Sequence, residues 1–152
     1  LHAAGDSPMA KHRLQQGIAV ALAGMALPVL LTSLNAITDV CMALGHFAEA
    51  ESYADSGTKV AASVLNPFAT CELHEKRGDA QLAQAKHADA LASYARAAEL
   101  ARTYEHFHCW KSVLAKQADL YAKAGMRREQ REVEHERAVV EELVRRQQGA
   151  PR

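Results

Sequence analysis

Ala43-Leu44-Gly45-His46-Phe47-Ala48-Glu49-Ala50 reads as a helix end, a glycine turn and the start of a second helix. The same grammar returns when the sequence is shifted by 40 residues. Gly5, Gly45 and Gly125 share one repeat position, with Ala85 in the third copy. Ala10, Ala50 and Ala90 share a second, broken by Gln130, and Gly17, Gly57 and Ala97 a third, broken by Arg137. Asp39, Asp79 and Asp119 share a fourth, unbroken. A fixed period of this length is the mark of a helical solenoid, in which each unit buries its apolar face only against its neighbours.

Composition agrees with an all-α chain. Nearly half of the 152 residues are apolar, aromatics are few and alanine is abundant. Small side chains let helices approach closely, and alanine has the best intrinsic helix propensity. Lysine plus arginine equals aspartate plus glutamate, 18 against 18. That balance removes the basic excess expected of a nucleic-acid binder. Cys41, Cys71 and Cys109 are too few and too scattered for a disulfide framework and read as reduced thiols in a cytoplasmic protein. The apolar run Ile18 to Leu31 is short for a membrane span and contains Pro28, so it reads as a buried solenoid helix. The opening at Leu1, in mid-repeat, reads as a fragment of a longer protein.

Along the chain, Leu1 to Gly5 is expected to be a helix tail and Ser7-Pro8 a helix start. The expected organisation is a helix at about 7–27, helix pairs at about 28–66, 67–106 and 107–147, and a disordered tail at 148–152. Gly45 should close one helix, and Asn66-Pro67 should end another. The first helix of the middle pair is the weakest, because His74, Gly78 and Gln81 take places held elsewhere by Leu34 or Leu114, Thr38 or Ala118, and Cys41 or Tyr121. Either a neighbour packs closely at Gly78 or the array is soft there. The last helix, Arg127 to Arg146, is dense in Arg and Glu around a thin apolar line at Val133, Val140 and Val144, joined by Val139 and Leu143. It suits a capping helix whose outer face meets water, and equally a helix that continues out of the array toward a following domain.

Leu44-Gly45-x-Phe47-x-Glu49-Ala50, with Ala54 and Gly57 following, resembles the turn and second helix of a tetratricopeptide repeat. Asp89-Ala90 with Tyr94, Ala97 and Ala98 does too, and Leu114, Ala118, Tyr121 and Gly125 match that motif's first helix. The resemblance spans essentially the whole chain, although the family's usual unit is shorter, about 34 residues. The longer unit is similar to helical-repeat regions of bacterial regulatory proteins, which sit beside output domains such as nucleotide cyclases or DNA-binding modules. It implies a right-handed α-solenoid of antiparallel helix pairs, with the first helix of each pair lining a concave groove.

On that resemblance the groove carries Asn35, Asp39, Met42, Glu72, Glu75, Asp79, Asp119 and Lys123. Such an acidic surface would prefer a protein or peptide of basic character. It departs in charge sign from family members that clamp a peptide carboxylate. The alternative is local pairing, since Lys76 lies three residues before Asp79 and Lys116 three before Asp119. His106-Phe107-His108-Cys109 has metal-ligand types but poor spacing, with Cys71 and His74 as the sole complement, so no metal or cofactor is expected. No Gly-rich phosphate loop, Gly-x-Ser-x-Gly, Cys-x-x-Cys or His-Glu-x-x-His run occurs, so the chain is not expected to be an enzyme. The function expected is protein recognition, with neither nucleic acid nor membrane as partner. The alternatives are a sensor of a small ligand near His74, Gly78 and Gln81, or a homodimer through the Val133/Val140/Val144 line, either one controlling a fused output domain.

Overall fold

The computed structural model describes residues 7–24 and 26–149. Among them the chain is all-helical, with seven helices and no strand. They are α1 (Ser7–Ala23), α2 (Leu27–Leu44), α3 (Phe47–Ser63), α4 (Pro67–Ala83), α5 (His87–Tyr104), α6 (Phe107–Lys123) and α7 (Arg127–Gln147). The helix tail expected at Leu1–Gly5 lies outside the described residues, as do Ala150, Pro151 and Arg152 of the expected tail. Gln148 and Gly149 form a turn on α7, their N–H groups donating to Val144 O and Arg146 O, each at 3.0 Å.

Five of the turns share one construction. Gly45, Leu65, Ala85, Glu105 and Gly125 all have positive φ, between 56° and 76°, and they recur every 20 residues. After each, a backbone N–H reaches back to the carbonyl five residues earlier, as from His46 to Cys41 at 2.8 Å and from Lys86 to Gln81 at 2.9 Å. This wraps the last carbonyls of each helix and stops it. The structural unit is therefore one helix and one turn, half the repeat visible in the sequence. Starts are marked less uniformly: Asn66 Oδ1 accepts from Ala69 N–H at 3.0 Å ahead of Pro67, and Pro28 sits in the first turn of α2. α1 stops at Ala23, ahead of the end expected near Leu27, so the Ile18–Leu31 run is split by a turn. Among the described residues α2 alone is long and apolar enough to cross a membrane, by length and composition, while Leu30, Leu34, Ile37 and Cys41 on it are buried.

Each helix packs on the next in chain order. The backbones of α2 and α4, and of α4 and α6, also approach one another, whereas those of α1, α3, α5 and α7 do not. The interior depends on small residues at repeated positions: Ala50, Ala90 and Ala97 have no exposed surface. At Gly57 an added Cβ would lie 3.0 Å from Leu73 Cδ1, and at Gly78 only 2.6 Å from Tyr94 Cε1. Gly78 therefore marks a close approach rather than a soft place, with the fully buried Tyr94 ring filling the space a side chain would need.

α7 carries Gln130 and Arg137 where α1, α3 and α5 have Ala or Gly, and it closes the core with valines. Val140 is fully buried, and Val133 and Val144 pack on the same cluster as Val113 and Leu114. The line considered as a seam for a second copy is thus occupied within the chain, leaving Val139 and Leu143 as the exposed large apolar residues of this helix. Glu136 anchors it further, accepting from Arg102 Nε at 2.8 Å and from Trp110 Nε1 at 3.1 Å.

Candidate functional site

The face shared by α2, α4 and α6 carries one device twice. Lys76 Nζ on α4 donates to Asn35 Oδ1 on α2 at 2.6 Å and lies 2.9 Å from Asp39 Oδ1. Lys116 Nζ on α6 repeats this against α4, donating to Glu75 Oε2 at 2.7 Å and Asp79 Oδ2 at 3.0 Å. In each case two acceptors one helical turn apart converge on a single ammonium from the helix alongside. The lysines therefore pair with carboxylates 37 residues back, not with Asp79 and Asp119 three residues ahead on their own helices. The neighbouring helix offers two acceptors, whereas the local aspartate offers one. The third step lacks the seat, because Ala115 stands where Asn35 and Glu75 stand before it. Asp119 pairs instead with Lys123 on its own helix, at 2.9 Å.

The two seats differ in surroundings. Asp39 is 61% exposed, whereas Glu75 is only 14% exposed. Glu75 also accepts from Ser112 Oγ and, at 3.6 Å, from the Cys109 thiol. Asp79 Oδ1 accepts from Tyr94 O–H at 2.6 Å. Burial alone would lower the Lys116 pKa, but Glu75 and Asp79 outweigh it and hold the ammonium above the usual lysine range. Burial, with the Asp79 carboxylate second, pushes Tyr94 far up, so its hydroxyl stays protonated and donates. The neighbouring Cys71 thiol, then burial, push Cys109 up as well, so it remains a thiol with little nucleophilic character.

Of the other expected groove residues, Met42 packs beside Ile37 and Cys41 in the core. Glu72 pairs with His106, whose Nε2 lies 2.8 Å from Glu72 Oε1 and whose ring lies tilted against Phe68, with centroids 4.8 Å apart. The His106 and Cys109 side chains are thus engaged by carboxylates on α4, and among the described residues no three His, Cys, Asp or Glu groups converge as a metal-ligand set. Phe107 and Trp110 stack with centroids 6.2 Å apart and pack the junction, while His108 is exposed. Gln81 is held from both sides, donating to Glu51 Oε2 at 3.1 Å and accepting from Ser93 Oγ at 2.6 Å. Glu51 collects Gln84 and Lys86 too, each at 2.9 Å, which outweighs burial and lowers its pKa.

The residues that sequence reading did not single out as cross-links are Lys76, Lys116, Ser112 and Tyr94. A signal for the lysines was present, since 76 and 116 share one repeat position just as 39, 79 and 119 do. As a surface, the face presents five carboxylates, Asp39, Glu72, Glu75, Asp79 and Asp119, against the three ammonium groups of Lys76, Lys116 and Lys123. The excess over the lysines lies in the middle, where Glu75 and Asp79 share Lys116 and Glu72 faces His106, whereas Asp39 and Asp119 at the two ends are more than half exposed and each faces one lysine. The chain matches no protein-family model and no curated protein.

Proposed function

We propose that the chain is a right-handed α-solenoid of antiparallel helix pairs, similar to tetratricopeptide repeats, and that it works as a protein-binding module. The α2/α4/α6 face receives a segment of basic character. The observation that carries this reading is the surplus of carboxylates on that face, five against three lysines, with Asp39 and Asp119 at either end the most exposed of the five although each already faces one lysine. Lysine or arginine side chains of a partner would find their strongest contacts at those ends, and the paired middle would set register. The chemistry of the site offers recognition and no reaction: its thiols are buried, and its Lys116 ammonium is held protonated.

The test is a pull-down with the purified chain, eluted along a salt gradient, repeated with Asp39→Asn plus Asp119→Asn. The reading expects a partner with a basic segment that is released at moderate salt by the native chain and earlier by the variant. Because both aspartates are exposed, helicity should be unchanged. An elution profile identical for the two proteins would remove this face from the account.

A further inference from the structure

A second feature lies away from the lysine seats. A cavity of about 190 Å³ opens between α4 and α5, lined by His74, Arg77 and Gln81 from α4 and by Asp89, Ser93 and Arg96 from α5, among others. Among the described residues three side-chain polar atoms are buried without a hydrogen-bond partner: His74 Nδ1, Arg77 Nε and Arg137 Nε. Arg137 has Glu141 3.3 Å away. The other two belong to residues that line this one cavity. Buried polar groups in folded proteins are nearly always satisfied, so two orphans in one place call for an occupant.

The chemistry of the lining says what kind. Arg77 Nε–H can only donate, and a neutral imidazole can donate from Nδ1. Burial first, then the positive charges of Arg96 and Arg77, hold His74 at about 4, so the ring is neutral near pH 7. The guanidiniums come from two facing helices, and their carboxylate partners leave nitrogens to spare. Arg77 Nη1 pairs with Asp55 on α3 at 3.3 Å, and Arg96 Nη1 with Glu99 at 3.1 Å. Asp89, the carboxylate of the lining, is exposed. Water occupies about 30 Å³ per molecule in the liquid, so the volume would hold a tetrahedral or planar oxyanion as readily as several waters. A water satisfies an N–H, whereas an anion also meets the guanidinium nitrogens that Asp55 and Glu99 leave over on either side of the half-buried ring.

We propose that this cavity is a binding site for a small oxyanion, a phosphate or a carboxylate, held by Arg77 Nε–H, His74 Nδ1–H and the Arg96 guanidinium. The anion would join α4 to α5 across the middle of the chain. The site is independent of the partner-binding reading, since Glu75 and Lys76 of α4 make their contacts with α6 and α2, Asp79 makes its own with Lys116 and Tyr94, and none of these residues lines the cavity.

The experiment follows the histidine ring signals by NMR while inorganic phosphate, acetate or chloride is added to the full chain at matched ionic strength. His74 should shift and saturate as a single site with phosphate, acetate or both, while His12 and His135 stay still. Its titration midpoint should also move up from about 4, because a bound anion favours the imidazolium. Arg96→Gln, at a half-exposed position, should weaken the binding about tenfold or more, the usual cost of a charge-assisted hydrogen bond. Arg96→Lys, which keeps the charge, should recover part of it. Response to phosphate alone or to acetate alone would name the class. No saturable shift of His74 with either anion, or one unchanged in Arg96→Gln, would mean that water fills the cavity and would overturn the proposal.

Discussion

The α2/α4 and α4/α6 junctions use the same lysine, the same two-acceptor seat and the same spacing, yet they are different interactions. At the first, Lys76 meets an aspartate that is mostly in water; at the second, Lys116 meets a glutamate that is mostly out of it. Around the second seat Ser112, Cys109 and Tyr94 supply further donors, whereas among the described residues the first seat has only Asn35 and Asp39 on Lys76. A repeated sequence pattern thus gives a repeated geometry without giving a repeated energy. The neighbours decide, because the desolvation of one carboxylate makes its partner indispensable.

Removing each lysine in turn breaks the comparison most directly. Lys116→Met leaves Glu75 buried with fewer donors, and stability should fall by about 2 kcal/mol, roughly half the cost of stranding a fully buried charge. Lys76→Met should cost about 1 kcal/mol or less, as exposed ion pairs do. Urea unfolding of the two variants checks this, and equal losses would show that burial does not separate the seats. Adding Glu75→Gln to Lys116→Met should restore part of the loss, since the two sites share one interaction.

The close packing beside the second seat gives the next effect. Gly78→Ala forces a methyl to within 2.6 Å of the Tyr94 ring, which is fully buried and tied through its hydroxyl to Asp79. Overpacking of this kind costs about 1–3 kcal/mol, against the roughly 1 kcal/mol that alanine gains in helix propensity. A net destabilisation of about 1 kcal/mol is expected from those two terms. Gly57→Ala meets the end of the Leu73 side chain at 3.0 Å, which can give, so its net effect should be near zero or stabilising. A melting temperature raised by Gly78→Ala would mean that Tyr94 moves freely.

The histidine on the same helix supplies a pH-dependent arm. His74 is faced by Arg77 on its own helix, Arg96 on α5 and Asp55 on α3, and it sits at about 4 against the ordinary 6.5. The unfolded chain therefore binds a proton that the native chain refuses between these values. Stability is fully present above pH 6.5 and is lost as pH falls toward 4. The ring is partly exposed, so screening reduces the loss to about 1 kcal/mol. Comparing the native chain with His74→Leu at pH 7 and pH 5 isolates it from the carboxylates. The variant should lose less on acidification, and an equal loss would show that the native ring accepts its proton freely.

These differences explain what was legible in the residues and what was not. The all-helical class and most helix bounds follow from glycine and proline punctuation and from alanine at a fixed period, which are local properties. The carboxylate series was visible for the same reason. Its neutralisation was not, because Lys76 and Lys116 act on residues 37 back, and a reading by helix neighbours pairs them three ahead. Gly78 left two readings open from sequence alone, since the ring that requires it arrives from the next helix. His74, Arg77 and Arg96 are unremarkable singly and gain meaning only when α4 and α5 bring them to one cavity.

The turns provide the finest test, because the same left-handed position is filled by glycine at 45 and 125 and by Leu65, Ala85 and Glu105 elsewhere. A side chain in this conformation costs roughly 1–2 kcal/mol, while glycine returns part of that through the greater freedom of the unfolded chain. Leu65 is 87% exposed, so replacing it removes little burial. Leu65→Gly should therefore stabilise by about 0.5 kcal/mol, and Glu105→Gly by a similar amount. Gly45→Ala is the converse: nothing lies within 4 Å of the added methyl, so any loss comes from the backbone alone and should be about 1 kcal/mol. Urea midpoints of the three variants decide whether 65 and 105 are strained turns that the packing of their helices enforces. A Leu65→Gly protein no more stable than the native chain would show that Leu65 contributes contacts equal to its strain, and the five turns would then be alike in energy as they are in shape.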